Sequence, residues 1–437
     1  MDDEHGLVQF WNGMALTRLA QSFKLAVGPA KVLIALAAVI LICIVGVLMD
    51  LCSRSVVVDP ARNVPQALFT SKPGSFLRGS ELEIFIEKPA QTAPFIKLNK
   101  GKIPGQGVFA TLWSFSVSRF NNAAAELLRL DNANIFANTS NAMYNLWQGL
   151  KAIVWAVRFH TIYSLIFFSF TFLVVCFAGG AICRCAALEF SGNEKPDMLE
   201  ACRFSLEKIK SLLAAPLIPL MLTALFALLI VLAGFVANIP WLGELLIAPS
   251  LGLILPAGLA VTLLAVVSIV GAGLLFPAIA YEGTTGLDAI GRAFSYILGK
   301  PLWTSFYLFV AAVLGTAFYM FIRLLLFAVL WVTYALLAVG VFNNPAGPDK
   351  LQRIWARPGI FNLLSSPAGP ANWSEYLAAA IINIIMLFFV ALVLALVISF
   401  ACSVMTVIYA LLRRKIDNVH LNQVFVHLET IRHKETE

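Results

Sequence analysis

Charge is scarce in this sequence. Asp, Glu, Lys and Arg make up 13% of its 437 residues, and 60% are hydrophobic. A soluble domain carries roughly a quarter charged residues. A water-soluble fold of this size cannot hide so much apolar surface, so the bilayer must act as part of the solvent. Histidine is scarcer still, with five in all: His5, His160, His420, His427 and His433. Only His160 stands near an apolar run. His420 and His427 are seven residues apart, and no carboxylate cluster completes a metal site around them. The seven cysteines are an odd number. Cys43, Cys176 and Cys402 fall inside apolar runs, where a free thiol behaves as a small hydrophobe. Cys183-Arg-Cys185 has no His or second Cys pair at zinc-site spacing, and only Cys52 lies near the outer end of a span. No disulfide framework follows. A Walker A loop, a GxSxG elbow, an HExxH helix and paired catalytic carboxylates are all missing. We therefore expect no catalytic residues, no cofactor and no bound metal, and an enzyme is not the expected reading.

What charge there is leans positive, with a net +7 and an isoelectric point near 9.0. No basic stripe with interleaved aromatics accompanies it, which speaks against nucleic acid. Membrane proteins carry Lys and Arg to set topology and to meet anionic lipid. The start, Met1-Asp2-Asp3-Glu4, is acidic, whereas a cleavable signal peptide opens with a basic region. The first apolar run is accordingly expected to be retained.

Six runs are long enough to span: 32–51, 162–187, 212–237, 256–281, 302–322 and 377–412. Each reaches the roughly 20 residues that a hydrocarbon core requires. The fold class expected is an all-α integral membrane protein with about six transmembrane helices. Lys and Arg in the short connections set its orientation. Arg18, Lys24 and Lys31 precede the first run. Arg184, Lys195, Arg203, Lys208 and Lys210 lie between the second and third. Arg292 and Lys300 lie between the fourth and fifth, and Arg413-Arg414-Lys415 ends the sixth. The connection 239–255 has neither residue type. Both termini are then expected in the cytoplasm, with the chain in a bacterial cytoplasmic (inner) membrane.

Two runs outlast a bilayer. Residues 302–342 are apolar except for Arg323 and would reach roughly 60 Å as one helix. No Gly, Pro or Asn pair offers a turn near Arg323, so we read one span continuing past the outer surface, with Arg323 near that interface. The run 377–412 is its antiparallel partner, joined through an outer loop over 343–376. The segment 53–159 would cover these extensions. Its stretch Glu81-Leu-Glu-Ile-Phe-Ile-Glu87 alternates and predicts a short strand. Six prolines between Pro60 and Pro104 break it into turns. From Val108 to Phe159 the pattern turns helical, predicting amphipathic helices at the outer interface. Asn138-Thr-Ser140 matches a glycosylation sequon of the kind frequent by chance.

A unit recurs on the cytoplasmic side. Met14–Lys24 leads into span one, Met198–Lys208 into span three, and Leu287–Ile297 into span five. Each is a short amphipathic segment with an Ala, an Arg and a Phe–Ser or Ser–Phe pair, followed by a basic residue and a proline (Pro29, Pro216, Pro301). A helix with an apolar face and basic flanks lies in the headgroup plane. The chain thus reads as three hairpins, each preceded by a cytoplasmic interfacial helix. Its divisions are 1–52 (N-terminus, interfacial helix and span one), 53–159 (extracytoplasmic segment), 160–281 (spans two to four), 282–413 (interfacial helix and spans five and six) and 414–437 (cytoplasmic tail).

The stretch Ala280-Tyr-Glu-Gly-Thr-Thr-Gly-Leu-Asp-Ala-Ile-Gly-Arg-Ala-Phe-Ser-Tyr296, with Lys300-Pro301 after it, resembles the connector of a broad bacterial group. These are multi-pass proteins related to the membrane domain attached to some glycerophosphodiester phosphodiesterases. The resemblance covers about half the chain and implies architecture, not activity. The soluble phosphodiesterase barrel and its metal site are absent, and that chemistry is not carried over.

Ionisable groups within spans are functional candidates by default. Arg184, Glu244, Glu282 and Arg323 qualify, but each is near a span end, where snorkelling is cheap and anchoring is the expected role. Arg158 and His160 mark the outer boundary. Arg203, Asp288 and Arg292 belong to the repeated cytoplasmic segments. These residues support a non-catalytic scaffold or assembly factor that binds membrane lipids and other membrane or envelope proteins. A second reading is a permease-like subunit using 287–301 as a coupling helix toward an ATPase. A third is an enzyme acting on lipid at the outer interface, which would need a polar site near His160 and Arg158.

Overall fold

The computed structural model describes residues 16–58, 80–101, 105–128, 135–192, 197–236, 238–239, 242–340, 350–360, 372–420 and 424. These residues form helices: α1 (Leu16–Ala26), α2 (Pro29–Cys52), α3 (Glu81–Glu87), α4 (Thr92–Asn99), α5 (Val108–Leu128), α6 (Ile135–Phe159), α7 (Thr161–Phe190), α8 (Met198–Glu207), α9 (Ile209–Val236), α10 (Leu242–Glu282), α11 (Gly286–Gly299), α12 (Pro301–Gly340), α13 (Lys350–Ile354) and α14 (Trp373–Asp417). Six of them (α2, α7, α9, α10, α12 and α14) are long and apolar enough to cross a membrane. Only helices and closed barrels satisfy their backbone inside lipid, and these six are helices throughout. The chain is an all-α, multi-pass membrane protein.

Local chemistry explains the helix ends. Pro29 and Pro301 open α2 and α12, where a missing N–H costs nothing. Asp197 caps α8 by accepting from the Leu199 N–H at 3.3 Å. Thr285 caps α11 by accepting from the Asp288 N–H, and its hydroxyl donates to Asp288 Oδ2 at 2.7 Å. This reciprocal pair resembles a capping box. It places Asp288 in the first turn of α11 as an acid at the positive end of the helix dipole.

Two expectations need correction. The alternating stretch 81–87 is the helix α3 and not a strand. Ser80, in extended geometry, accepts from the Glu83 N–H at 3.3 Å, and Glu81 and Glu83 sit in the first turn. An N-cap serine followed by first-turn acids favours helix. Leu82 and Phe85, three residues apart, then share one buried face. Among the described residues there is no strand; isolated bridges pair Val56 with Gln106 and Val58 with Ser80. The stretch 239–255, expected to be a connection, is mostly helix, because α10 begins at Leu242 and keeps Pro249, Pro256 and Pro277 inside it. Prolines are tolerated in apolar membrane helices. The long run beginning at Leu302 is a single helix through Arg323, as its lack of turn residues predicts.

The chain divides into two compact units. The first comprises Met1–Ala38, Leu173–Gly315 and Ala395–Glu437. Its core contains Ile34, Ala35, Ala178, Ala181, Ile182, Cys185, Ala201 and Ala395. Small side chains let helices approach closely where lipid supplies no hydrophobic drive. Ser399 donates to the Ala26 carbonyl at 2.7 Å, and the Phe23 and Phe400 rings lie 5.5 Å apart. Helices α9, α10 and α11 pack on one another. In this unit Gly315 lies against Phe400 and Lys415 lies over Trp303, so α12 and α14 run antiparallel.

The second unit comprises Val39–Phe172 and Thr316–Leu394. Its main core is aromatic: Phe85, Phe109, Phe115, Trp155, Tyr163 and Phe167, with Val56, Leu82, Val108 and Leu112. The helices α5 and α6 predicted from the 108–159 pattern are present and pack on each other. A smaller cluster joins Leu326 and Leu330 of α12 to Met386 of α14.

Candidate functional site

Each unit holds buried acids, and their partners differ. In the first unit Glu282, the last residue of α10, is 5% exposed. Arg292 of α11 reaches both of its oxygens, at 2.6 and 2.8 Å. Arg413 Nε lies 3.3 Å away, and the Tyr409 hydroxyl donates at 2.6 Å. One charge-assisted hydrogen bond, from Nη1 to Oε1, and a second close contact of opposite charges hold this arginine–carboxylate pair. Tyr296 of α11 donates to Asp417 at the end of α14, and its ring stands 5.5 Å from that of Tyr409. Burial and the Asp417 carboxylate push the Tyr296 phenol up to about 12. Burial works against charge on Arg292, but the neighbouring Glu282 holds its pKa above the ordinary value. Lys208 closes the α8–α9 end by donating to the Gly283 carbonyl at 2.5 Å. The group ties three helix ends together and leaves no oxygen of Glu282 facing an empty side.

The same unit buries two more cations. Lys31 pairs with Glu189 at 2.5 Å. Arg184 is 2% exposed and has no ion pair among the described residues. It donates to the Ala280 carbonyl at 2.9 Å and lies over the Phe204 ring at 4.7 Å. Arg203 is exposed and pairs along its own helix with Glu207 at 3.2 Å.

In the second unit Asp50 occupies the last turn of α2. It accepts from the Phe109 and Ala110 N–H groups at 3.0 and 2.8 Å and from the Tyr163 hydroxyl at 2.7 Å. This caps α5, whose dipole favours an anion there. A Cβ on Gly107 would come within 2.1 Å of the Asp50 carboxylate, so the approach requires glycine.

Glu81 is a second buried acid of this unit, and Glu375, which pairs with Arg353 at 3.3 Å, is a third. Backbone bonds hold the stretch from Arg54 to Val58 on two sides. Val56 exchanges bonds with Gln106 at 3.1 and 2.9 Å, and the Glu81 N–H donates to the Val57 carbonyl at 3.1 Å. Gly105 permits this, since a Cβ there would meet the Arg54 carbonyl oxygen at 2.3 Å. The Val57 N–H returns to Glu81 Oε2 at 3.2 Å. Glu81 Oε1 lies 2.5 Å from His160 Nε2, and His160 Nδ1 lies 3.0 Å from the hydroxyl of the exposed Ser55. The Trp155 ring meets the imidazole edge-on at 5.1 Å. His160 sits between α6 and α7, and helical bonding continues through it: its N–H donates to Ala156 and its carbonyl accepts from Ser164.

The sequence candidates divide accordingly. Glu282 and Arg292 are brought together, while Arg184, Arg323 and Glu282 are buried inside protein and do not snorkel outward. Arg323 is 5% exposed and donates to Ile360 O at 2.7 Å and Asn121 Oδ1 at 2.6 Å, and it also meets the Tyr319 hydroxyl. A guanidinium with protein acceptors in reach gains more from them than from extending to an interface. Arg158 is exposed and lies over Phe159 at 5.8 Å. His5, His427, the Glu244 side chain and most of the loop 343–376 lie outside the described residues. Glu81, Ser55, Asp50, Glu189 and Tyr409 belong to no recognisable sequence motif. An acid inside the last turn of an apolar run is a legible signal for Asp50. Nothing local marks Ser55, whose meaning depends on a histidine 105 residues away.

Comparison with known proteins finds no matching family model, no matching curated protein and no matching solved structure.

Proposed function

We propose that this chain is a membrane-embedded scaffold that binds lipid and partner membrane or envelope proteins. The observation that carries the reading is the length and surface of its helices. Helices α12 and α14 have 40 and 45 residues, or about 60 and 67 Å at the α-helical rise. A hydrocarbon core is about 30 Å thick. Apolar side chains are nonetheless exposed near both ends of α12, from Leu302 to Val339, and near the start of α14, at Trp373 and Leu377. Apolar surface beyond the reach of one bilayer calls for a protein or lipid cover. In this reading α1, α8 and α11 lie along the cytoplasmic face of a bacterial inner membrane. Each then leads a pair of spans, both termini are inside, and the basic residues around Lys24, Lys208, Lys300 and Arg414 meet anionic headgroups.

Affinity purification in mild detergent followed by native mass spectrometry tests this. The expected result is co-purified protein or retained lipid in stoichiometric amount. Recovery of only the bare chain, from several detergents that preserve its fold, would overturn the scaffold.

A further inference from the structure

We propose that Ser55, His160 and Glu81 form a serine-nucleophile site that hydrolyses the acyl ester of a membrane lipid. This goes beyond the scaffold reading and departs from the expectation of a chain without catalytic residues. A carboxylate only accepts hydrogen bonds, so Glu81 at 2.5 Å requires the hydrogen of a neutral His160 on Nε2. Nδ1 is then a bare lone pair, and the Ser55 hydroxyl at 3.0 Å donates to it. This is the relation of nucleophile, base and orienting acid that activates a serine, with the two ring nitrogens exchanged. The orienting acid is rigid, because Glu81 is 1% exposed and its second oxygen is held by the Val57 N–H. The nucleophile is open to solvent. The backbone N–H groups of Arg54 and Ser55 make no backbone hydrogen bond among the described residues, so donors for a developing oxyanion stand beside the nucleophile.

The surroundings specify the substrate class. Ser55 follows α2, which exposes Leu48 and Leu51, and His160 precedes α7, which exposes Ile162 and Leu165. Both helices are apolar enough to span. A long acyl chain lying along them presents its ester at the serine. Arg54 and Arg158, both exposed, flank the two reacting residues in the chain and suit a phosphate-bearing headgroup.

The steps balance with water as the only co-reactant. Ser55 Oγ attacks the ester carbonyl while its proton passes to His160 Nδ1. Collapse of the tetrahedral adduct breaks the bond to the alcohol oxygen, which leaves with that proton. Water then attacks the acyl-serine, giving its proton to Nδ1. Release of the fatty acid returns that proton to Ser55 Oγ.

The test uses the full chain in detergent and in vesicles. A fluorophosphonate probe is expected to label Ser55, located by peptide mass spectrometry, and phosphatidylglycerol vesicles are expected to release fatty acid. Ser55→Ala should abolish both signals. His160→Gln should slow labelling by about 100-fold or more, the scale of general-base catalysis. Glu81→Gln should slow it less, and Cys52→Ser should leave it unchanged. Wild-type protein that elutes as a single folded species yet leaves Ser55 unlabelled overturns the proposal, as does equal labelling of Ser55→Ala. Labelling of Ser55 with turnover of p-nitrophenyl butyrate but not of the vesicle lipid overturns the lipid assignment.

Discussion

Glu282 and Glu81 are both carboxylates buried at helix ends, and their surroundings give them opposite characters. Glu282 sits against two guanidinium groups and a phenol, so its charge is compensated on every side. Glu81 sits against one imidazole and one backbone N–H, and that imidazole passes its polarity on to an exposed hydroxyl. An acid surrounded by permanent cations has nothing left to give and holds helices together. An acid that orients a titratable ring leaves the second ring nitrogen poised. The partner, more than the acid, decides whether a buried carboxylate is an anchor or part of a reactive chain.

The sharpest way to break this comparison is to remove each acid in turn. Glu282→Ala strands two arginines and should cost about 3 kcal/mol, the low end for a broken buried pair because Arg292 is partly exposed and screened. Glu81→Gln keeps shape and hydrogen-bonding capacity and should cost about 1 kcal/mol. Thermal midpoints in one detergent would check the order, and a larger loss from Glu81→Gln would reverse the assignment of anchor. Asp50→Ala extends the comparison to a third acid whose partners are helix N–H groups. It should lose about 1–2 kcal/mol, the scale of an N-cap, read in the same melting experiment. Arg184 carries the comparison over to cations: buried without an ion-pair partner among the described residues, it bears a desolvation cost that Arg292 does not. Arg184→Met should therefore change stability by less than about 1 kcal/mol, whereas Arg292→Met should be clearly destabilising. The smallest effect is at Tyr296. Its folded pKa of about 12 exceeds the ordinary tyrosine value of about 10. The stability linked to it is therefore complete below pH 10 and is lost as pH rises through 12. The phenolate difference spectrum of wild type against Tyr296→Phe should show that group ionising near pH 12 and not near pH 10.

Much of the fold was legible because hydropathy is a sum over many residues. No single side chain could hide the spans, and the absence of Gly, Pro or Asn pairs near Arg323 identified α12 as one helix. The same averaging passes over Asp50, which is legible only when the run is read residue by residue, as a single acid in the last turn of an apolar helix. The stretch 81–87 is a helix despite its alternation, because alternation over seven residues is a weak signal, while the Ser80 cap and the first-turn acids are specific ones. The snorkelling expected of Arg184 and Arg323 failed for a different reason. It assumed water as the nearest acceptor, and carbonyls and an amide distant in the sequence were nearer.

Composition and patterning, read alone, determined the membrane class, the six apolar spans and the short amphipathic helices α1, α8 and α11. Each follows from local sums over neighbouring residues: apolar area, periodicity and helix-end chemistry. Only the tertiary structure decided that Glu282 would meet Arg292 and Arg413, and that Ser55, Glu81 and His160 would share one chain of hydrogen bonds. Such contacts depend on distances of about 3 Å between residues tens to more than a hundred positions apart. No local pattern encodes them. Packing of whole helices and the two-sided backbone pairing around Val56 bring them together.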